Sequence, residues 1–183
     1  MAVLDLIIAP NPVFQQKAAP IDDFDDTTKT LADDMLETMY ANRGIGIGAN
    51  MIGVLKRIVV VDIQASGTRE PLVLINPEIT WASDETTTNE EASLSFPGIS
   101  AEITRPNAIK LDYRDSDGAP QALSAEGWLA VVIQHEMDYL DGKSYLRHLS
   151  KIKRDRLLKK MQKHLKHAHS HACGDPHCGH EHH

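Results

Sequence analysis

Cysteine is absent from most of this chain of 183 residues, because its two cysteines are Cys173 and Cys178, near the C-terminus. A disulfide in the core is therefore excluded. Histidine is almost as scarce, since eight of the ten fall in residues 164–183 and only His135 and His148 precede them. A metal site in the body of the chain would thus have very few nitrogen or sulfur ligands available.

Long apolar runs are also absent, and no stretch approaches the roughly 18 residues that a membrane-spanning helix needs. The N-terminal segment MAVLDLIIAP lacks the basic start and the small-residue cleavage site of a signal peptide. We therefore expect a cytoplasmic protein with no membrane partner. An apolar content of 42% suits one core, so we expect one domain over residues 1–166 and a disordered His/Cys-rich tail over 167–183.

Hydrophobic periodicity predicts three helices and three strands. In the first helix Leu31, Met35 and Met39 repeat at every fourth position, and the second helix is apolar on all sides. The predicted helices span 24–42, 126–142 and 150–166, and the predicted strands span 57–63, 71–79 and 108–115. Because strands and helices alternate little, the pattern favours an α+β fold with mixed or antiparallel sheets around a buried second helix, plus a C-terminal helix.

The predicted buried helix carries the segment His135-Glu136-Met137-Asp138-Tyr139, which has the frame of an HExxH motif. In that motif, histidines at i and i+4 bind one metal and the glutamate acts as general base toward metal-bound water. Tyrosine replaces the second histidine here, and a phenol with an unperturbed pKa of about 10 ligates only where a strong cation is already present. Two interpretations are open, namely a reduced metal site and a buried hydrogen-bonded pair of His135 and Glu136.

Three motifs, in order across roughly residues 5–165, resemble those of the peptide deformylase family, whose enzymes remove the formyl group from the N-terminal methionine of new bacterial proteins. They are GIGIGANM at 44–51, EASLS at 91–95 and HEMDY at 135–139. The resemblance implies a peptide deformylase-like α+β fold. It also implies a metallohydrolase ancestry linked to protein biosynthesis.

Each motif departs from the family's pattern at a position that matters for the chemistry. The family's first motif ends in a glutamine that helps to stabilise the oxyanion, whereas Met51 cannot donate a hydrogen bond. Ser93 and Tyr139 occupy two of the three family metal-ligand positions, so His135 is the one ligand retained. The resemblance therefore implies no metal at the family site and a pseudoenzyme with little or no deformylase activity. An active metal-dependent deformylase with an unusual site is the alternative.

Other positions of the family site are retained. Glu136 occupies the position of the family's general acid/base, and the backbone N–H of Leu94 that of its second oxyanion donor. Trp128 stands where the family usually has a smaller aliphatic residue, so it either narrows the methionine pocket or belongs to the core. The resemblance assigns that pocket to Ile45, Gly46, Trp128, Val131 and Val132.

The predicted helix at 150–166 is strongly basic, with eight of the 19 Lys and Arg residues and one of the 26 Asp and Glu residues. It resembles in place and charge the helix by which bacterial deformylases dock on the ribosome near the nascent-chain exit, where its charge would suit phosphates. We therefore expect the ribosome or formylated nascent peptides as partners. Sequence-specific nucleic-acid binding is not expected, because no base-reading motif is present. A solvated helix without a partner is the alternative.

The tail is dense in imidazole and thiol groups, which suit zinc or another divalent transition metal. This composition raises a third possible role, as a metal-handling protein that acts through its tail. A purification tag and adventitious metal binding are the alternatives. The candidate tail ligands are His167, His169, His171, Cys173, His177, Cys178, His180, His182 and His183.

Overall fold

The computed structural model describes the backbone of residues 2–172 and the side chains of residues 2–167. Within that range the chain forms seven strands, three α-helices and three short 3₁₀ helices. The strands are β1 (Gly46–Gly48), β2 (Ile58–Val61), β3 (Leu72–Ala82), β4 (Thr86–Ala92), β5 (Ser100–Pro106), β6 (Ala108–Arg114) and β7 (Pro120–Glu126). The α-helices are α1 (Asp26–Ala41), α2 (Gly127–Leu140) and α3 (Lys151–Ala172), and the 3₁₀ helices are Pro12–Gln15, Ala49–Ile52 and Tyr145–His148.

The strands form two antiparallel sheets. Five of them follow the order β1-β2-β3-β6-β7, and β4 pairs with β5 as a separate hairpin. The predicted α+β class, with antiparallel sheets, a buried helix and a C-terminal helix, is confirmed.

Helix α2 is the most deeply buried helix of the described chain, since ten of its 14 residues are buried. On one side Val132, Ile133 and Leu140 join the apolar cluster that faces the five-stranded sheet. On the other side Tyr139 joins a second cluster that contains Met35 of α1. A helix that is apolar all round buries both faces, and α2 does so by lying between the two clusters.

Helix α3 packs on the body through one face and exposes its lysines. Met161 is fully buried and Leu157 and Leu158 are half-buried, while Lys159 and Lys160 are exposed, as the sequence predicts. The helix continues to Ala172, so the domain boundary predicted at residue 166 falls inside it. The continuation contains no glycine or proline, the residues that most strongly end helices. The predicted disorder of residues 173–183 lies outside the described residues.

No helix in the described part of the chain is both long and apolar enough to cross a bilayer.

Candidate active site

Helix α2 and strand β1 bring two of the three motifs into contact. A Cβ atom added at Gly46 would lie 3.0 Å from the Glu136 side chain and 3.0 Å from Cγ1 of Val132. Real Cβ contacts are seldom so close, so glycine is what allows the strand to approach the helix. His135, Glu136 and Tyr139 are all buried on α2, with Tyr139 fully excluded from solvent.

His135 is hydrogen-bonded to Glu91, which the sequence does not identify as its partner. Its Nδ1 lies 2.7 Å from Oε2 of Glu91, the carboxylate that opens the second motif. Because a carboxylate accepts hydrogen bonds, Nδ1–H of His135 is the donor. The interpretation of a hydrogen-bonded pair of His135 and Glu136 is therefore wrong, because Glu91 takes the one polar contact that the imidazole makes among the described residues.

Arg105 anchors Glu91 and extends the network to the surface. Its Nε and Nη2 donate to the two Glu91 oxygens at 2.6 and 3.0 Å, and its Nη1 donates to Asp138 at 2.9 Å. Asp138 also lies 2.7 Å from Nε2 of His148, which is partly exposed. Burial alone would raise the pKa of Glu91, but the hydrogen bonds from His135 and Arg105 outweigh it and hold that pKa below its usual value.

Glu136 lies in a different environment, with one carboxylate oxygen lacking a partner. Burial raises its pKa to about 7, against the opposing effects of the His135 charge and the Gly48 backbone N–H. Its Oε2 makes no hydrogen bond to any described residue. A carboxyl group whose pKa lies near neutrality is suited to transfer protons at physiological pH.

Tyr139 is a neutral phenol in apolar surroundings. Burial raises its pKa well above the usual value, and the neighbouring Ser93 hydroxyl opposes this without reaching full hydrogen-bond geometry. The ring centroid lies 5.8 Å from that of Phe14, 6.2 Å from that of Phe96 and 5.3 Å from that of His135. These contacts fix the ring, and the high pKa makes phenolate formation unfavourable.

The two positions predicted to stabilise the oxyanion differ in their ability to donate a hydrogen bond. Met51 is buried in the apolar core, where a thioether has no proton to donate. The backbone N–H of Leu94 makes no hydrogen bond to a described residue, so it remains able to donate. Of these two positions, Leu94 alone supplies a hydrogen-bond donor, and its role as an oxyanion donor stays a prediction.

The residues predicted for the methionine pocket lie on α2, at the start of β1 and just before it, and the pocket itself stays a prediction. Val131 and Val132 are buried, and Ile45 packs against the same cluster as Val132. Trp128 is 42% exposed, so the alternative that it belongs to the core is wrong. Trp128, Val132 and Glu136 succeed one another at four-residue spacing on α2, so they share one face of the helix.

Comparison with known proteins identifies the family. Residues 3–155 match the family described as polypeptide deformylase. The chain belongs to this family. A peptide deformylase-like protein of Rickettsia conorii is 52% identical over 92% of this chain and 94% of its own length. A peptide deformylase of Phenylobacterium zucineum is 45% identical over 91% of this chain and 99% of its own.

Solved structures of deformylases share the fold. The peptide deformylase of Ehrlichia chaffeensis superposes with a TM-score of 0.86 at 34% identity, covering 91% of this chain and 99% of its own. That of Legionella pneumophila gives a TM-score of 0.86 at 33% identity, covering 92% and 98%. The antiparallel sheets, the buried helix and the C-terminal helix are thus features of the deformylase family.

The residues at the family's metal position fit a divalent metal poorly. Three protein ligands plus an open position are typical of a catalytic zinc site. In this deformylase-family chain the three positions hold one imidazole, on His135, and the neutral hydroxyls of Ser93 and Tyr139. Among the described residues, no three His, Cys, Asp or Glu side chains form a group that could hold a metal. Neutral hydroxyls are weak ligands for the borderline metals that histidine and cysteine bind.

Sequence reasoning missed Glu91 as the partner of His135, and Arg105 as the partner of Glu91. A signal for Arg105 exists in its strand, because Ile103 and Arg105 are two positions apart and both are buried. An arginine at an inward-facing strand position needs a buried acid as its partner. Glu91, in the motif that also holds Ser93, is the acid that the hairpin supplies.

The predicted tail ligands lie mostly outside the described side chains. His167 is exposed on α3, and positions 169 and 171 belong to the helical backbone. The other candidates, from Cys173 onward, lie outside the described residues. Docking of α3 on the ribosome stays a prediction.

Proposed function

We propose that this chain is a deformylase-family protein with little or no deformylase activity that binds formylated N-terminal peptides. The observation that carries the proposal is the pair of neutral hydroxyls, on Ser93 and Tyr139, at two of the three metal-ligand positions. His135 alone is a weak basis for a metal site, because chelation by several ligands is what holds a catalytic metal.

The chemical consequence is the loss of an activated nucleophile. A bound metal lowers the pKa of its water from about 15.7 to about 7. Glu136, with a pKa of about 7, is too weak a base to deprotonate ordinary water to a useful extent. A phenol also extends farther from the helix than an imidazole. The Tyr139 hydroxyl lies near that of Ser93, so two uncharged groups stand together at the proposed ligand positions.

Peptide binding has its own support in the site. The N–H of Leu94 has no partner among the described residues and can donate to a formyl or peptide carbonyl. Gly46 lies close to the Glu136 side chain, which places the backbone of strand β1 beside the Glu136 carboxyl group. Trp128 offers an exposed indole on the same face of α2. Formylated nascent chains, presented at the ribosome near the basic helix α3, are the partners that this arrangement suits.

Restoration of the family residues tests the loss of catalysis. We expect the triple variant Met51→Gln, Ser93→Cys, Tyr139→His to gain one equivalent of metal. It should hydrolyse formyl-Met-Ala-Ser at least about a hundredfold faster than the native chain, because both a Lewis acid and an oxyanion donor are restored. Met51→Gln alone is the matched control and should gain nothing. Turnover by the native chain at a rate similar to that of the triple variant contradicts the proposal.

Fluorescence tests peptide binding separately. The chain has two tryptophans, Trp81 and Trp128, so Trp81→Phe leaves Trp128 as the sole indole. We expect formyl-Met-Ala-Ser to shift the emission of that variant in a saturable manner. Unformylated Met-Ala-Ser, the control peptide, should bind more weakly because it lacks the carbonyl that Leu94 would contact. Equal responses to the two peptides argue against recognition of the formyl group.

Metal handling by the tail is a second candidate, favoured by the length of α3. Positions 167 and 171 are four residues apart in this helix, a spacing with which two histidines can bind one metal. We propose zinc as the first metal to examine. Replacing every His and Cys from residue 167 onward with serine should lower the zinc stoichiometry of the full chain, whereas His148→Ser should not. Equal stoichiometry in all three proteins refutes binding by the tail.

A further inference from the structure

A separate cavity of about 450 Å³ lies between the N-terminal segment, the turn after α2 and helix α3. None of the residues predicted for the family site lines it. Its size falls within the range of roughly 300–1,000 Å³ that is usual for small-molecule sites. It is therefore large enough to hold a small organic molecule.

The floor of this cavity is apolar and fixed by packing. Phe14 and Phe96 line it, and both rings are almost fully buried with their centroids 5.5 Å apart. Leu146, which is buried, and Leu158, which is half-buried, complete the apolar lining. An apolar group laid on this floor would be removed from water without any rearrangement of the core.

The rim of the cavity carries positive charge that no acidic side chain in the described part of the chain neutralises. Arg147 and Arg154 line it, and neither guanidinium makes a hydrogen bond or ion pair with a described residue. Among the residues that the structure describes, no Asp or Glu lines the cavity. Arg57 and Arg105, by contrast, each pair with a carboxylate. Two unpaired arginines over an apolar floor form a surface complementary to an anion with an apolar body.

We propose that this cavity binds a small organic carboxylate, with its apolar body on the Phe14 and Phe96 rings and its carboxylate held by Arg147 and Arg154. Arginine suits this role because its planar fork matches a carboxylate with two parallel hydrogen bonds. The floor selects against small inorganic anions, which would gain nothing from apolar contact. This site does not depend on whether the chain hydrolyses or binds peptides.

Calorimetric titration of the full chain with 4-phenylbutanoate tests the proposal. We expect saturable binding at one site per chain. The double variant Arg147→Gln, Arg154→Gln should bind at least about tenfold more weakly, because it loses charge-assisted hydrogen bonds. The matched control is Lys153→Gln, Arg156→Gln, which removes the same charge from exposed positions of α3 outside the cavity. The control should bind as the native chain does.

Three further probes separate the contributions of charge and apolar surface. The neutral amide 4-phenylbutanamide lacks the carboxylate, while acetate and inorganic phosphate lack the apolar body, so each should bind at least about tenfold more weakly. The proposal is overturned if 4-phenylbutanoate shows no saturable binding, or if the two double variants bind it equally well. Tighter binding of inorganic phosphate would also overturn it, because the site would then be a simple anion site.

Discussion

The polar groups buried at helix α2 and around it fall into two sets that differ in their hydrogen bonding. In the first set, Glu91, Arg105, His135, Asp138 and His148 form a continuous network of ion pairs and hydrogen bonds from the core to the surface. In the second set, several buried polar atoms have no hydrogen-bond partner among the described residues. They are Glu136 Oε2, Tyr139 OH, Asn50 Oδ1 and Ser95 Oγ.

This difference suggests different roles for the two sets. The hydrogen-bonded set supports the fold, whereas the unpartnered set includes residues at positions that the family uses for chemistry. Buried polar groups are nearly always hydrogen-bonded, and each exception calls for an explanation. Every member of the network around His135 has a protein partner, and its contacts join the hairpin β4–β5 to α2. The unpartnered set includes Tyr139, which, with Ser93, stands at the positions where our proposal places lost metal ligands.

Removing the centre of the network should have the largest effect on stability. We expect Arg105→Met to lower the free energy of unfolding by about 3–5 kcal/mol, because it leaves Glu91 as a buried charge with only His135 as its partner. Urea unfolding followed by circular dichroism measures this. Arg114→Met is the matched control at an exposed position and should cost less than about 0.5 kcal/mol. A similar loss in the two variants would show that the network does not support the fold.

The pH dependence of stability tests Glu136, which belongs to the unpartnered set. Burial raises its pKa to about 7 from an ordinary value of 4.5, so the folded chain holds this proton more tightly than the unfolded chain does. The stabilisation is complete below pH 4.5 and is lost as the pH rises through 7. Glu136→Gln cannot titrate. We therefore expect its stability relative to the native chain to rise by about 2–3 kcal/mol between pH 4.5 and pH 8.

Parallel urea titrations of the two proteins at several pH values measure this difference. Groups that titrate identically in both proteins cancel, so the change reports on Glu136. A difference that does not vary with pH would mean that the buried carboxyl has an ordinary pKa and is adequately solvated or paired.

Removing an unpartnered hydroxyl should have the smallest effect. We expect Tyr139→Phe to leave stability unchanged or to raise it by up to about 1 kcal/mol, because the hydroxyl is buried without a full hydrogen bond. Tyr40→Phe is the contrasting control, since the Tyr40 hydroxyl donates to Asp62 at 2.6 Å and its loss should cost about 1 kcal/mol. If Tyr139→Phe is the more costly change in thermal unfolding, the Tyr139 hydroxyl has a partner that supports the fold.

The fold could be predicted from sequence where the hydrophobic pattern is strong. Helices α1 and α2 and strands β2, β3 and β6 lie within or close to their predicted ranges. Strand β1 has only three residues, two of them glycine, and β4 and β7 are rich in polar residues or alanine. Their strand conformation depends on pairing with neighbours, which local propensity does not reveal.

The candidate site was predictable only in part for a related reason. The positions of His135, Glu136 and Tyr139 follow from one helical motif, because a helix fixes the relative placement of nearby residues. The contact between His135 and Glu91 joins residues 44 positions apart. Arg105 reaches the same cluster from the other strand of the hairpin. Such contacts depend on tertiary packing, so spacing in the sequence does not disclose them.

The most direct test of the central claim is turnover of formyl-Met-Ala-Ser by the full native chain, with zinc, nickel or ferrous ion supplied in turn. Glu136→Gln serves as the reference, since it removes the family's general acid/base while keeping the shape of the side chain. We expect the two proteins to show the same background rate with every metal. Metal-dependent turnover by the native chain that Glu136→Gln abolishes would contradict the account, because His135, Ser93 and Tyr139 would then form a working metal site.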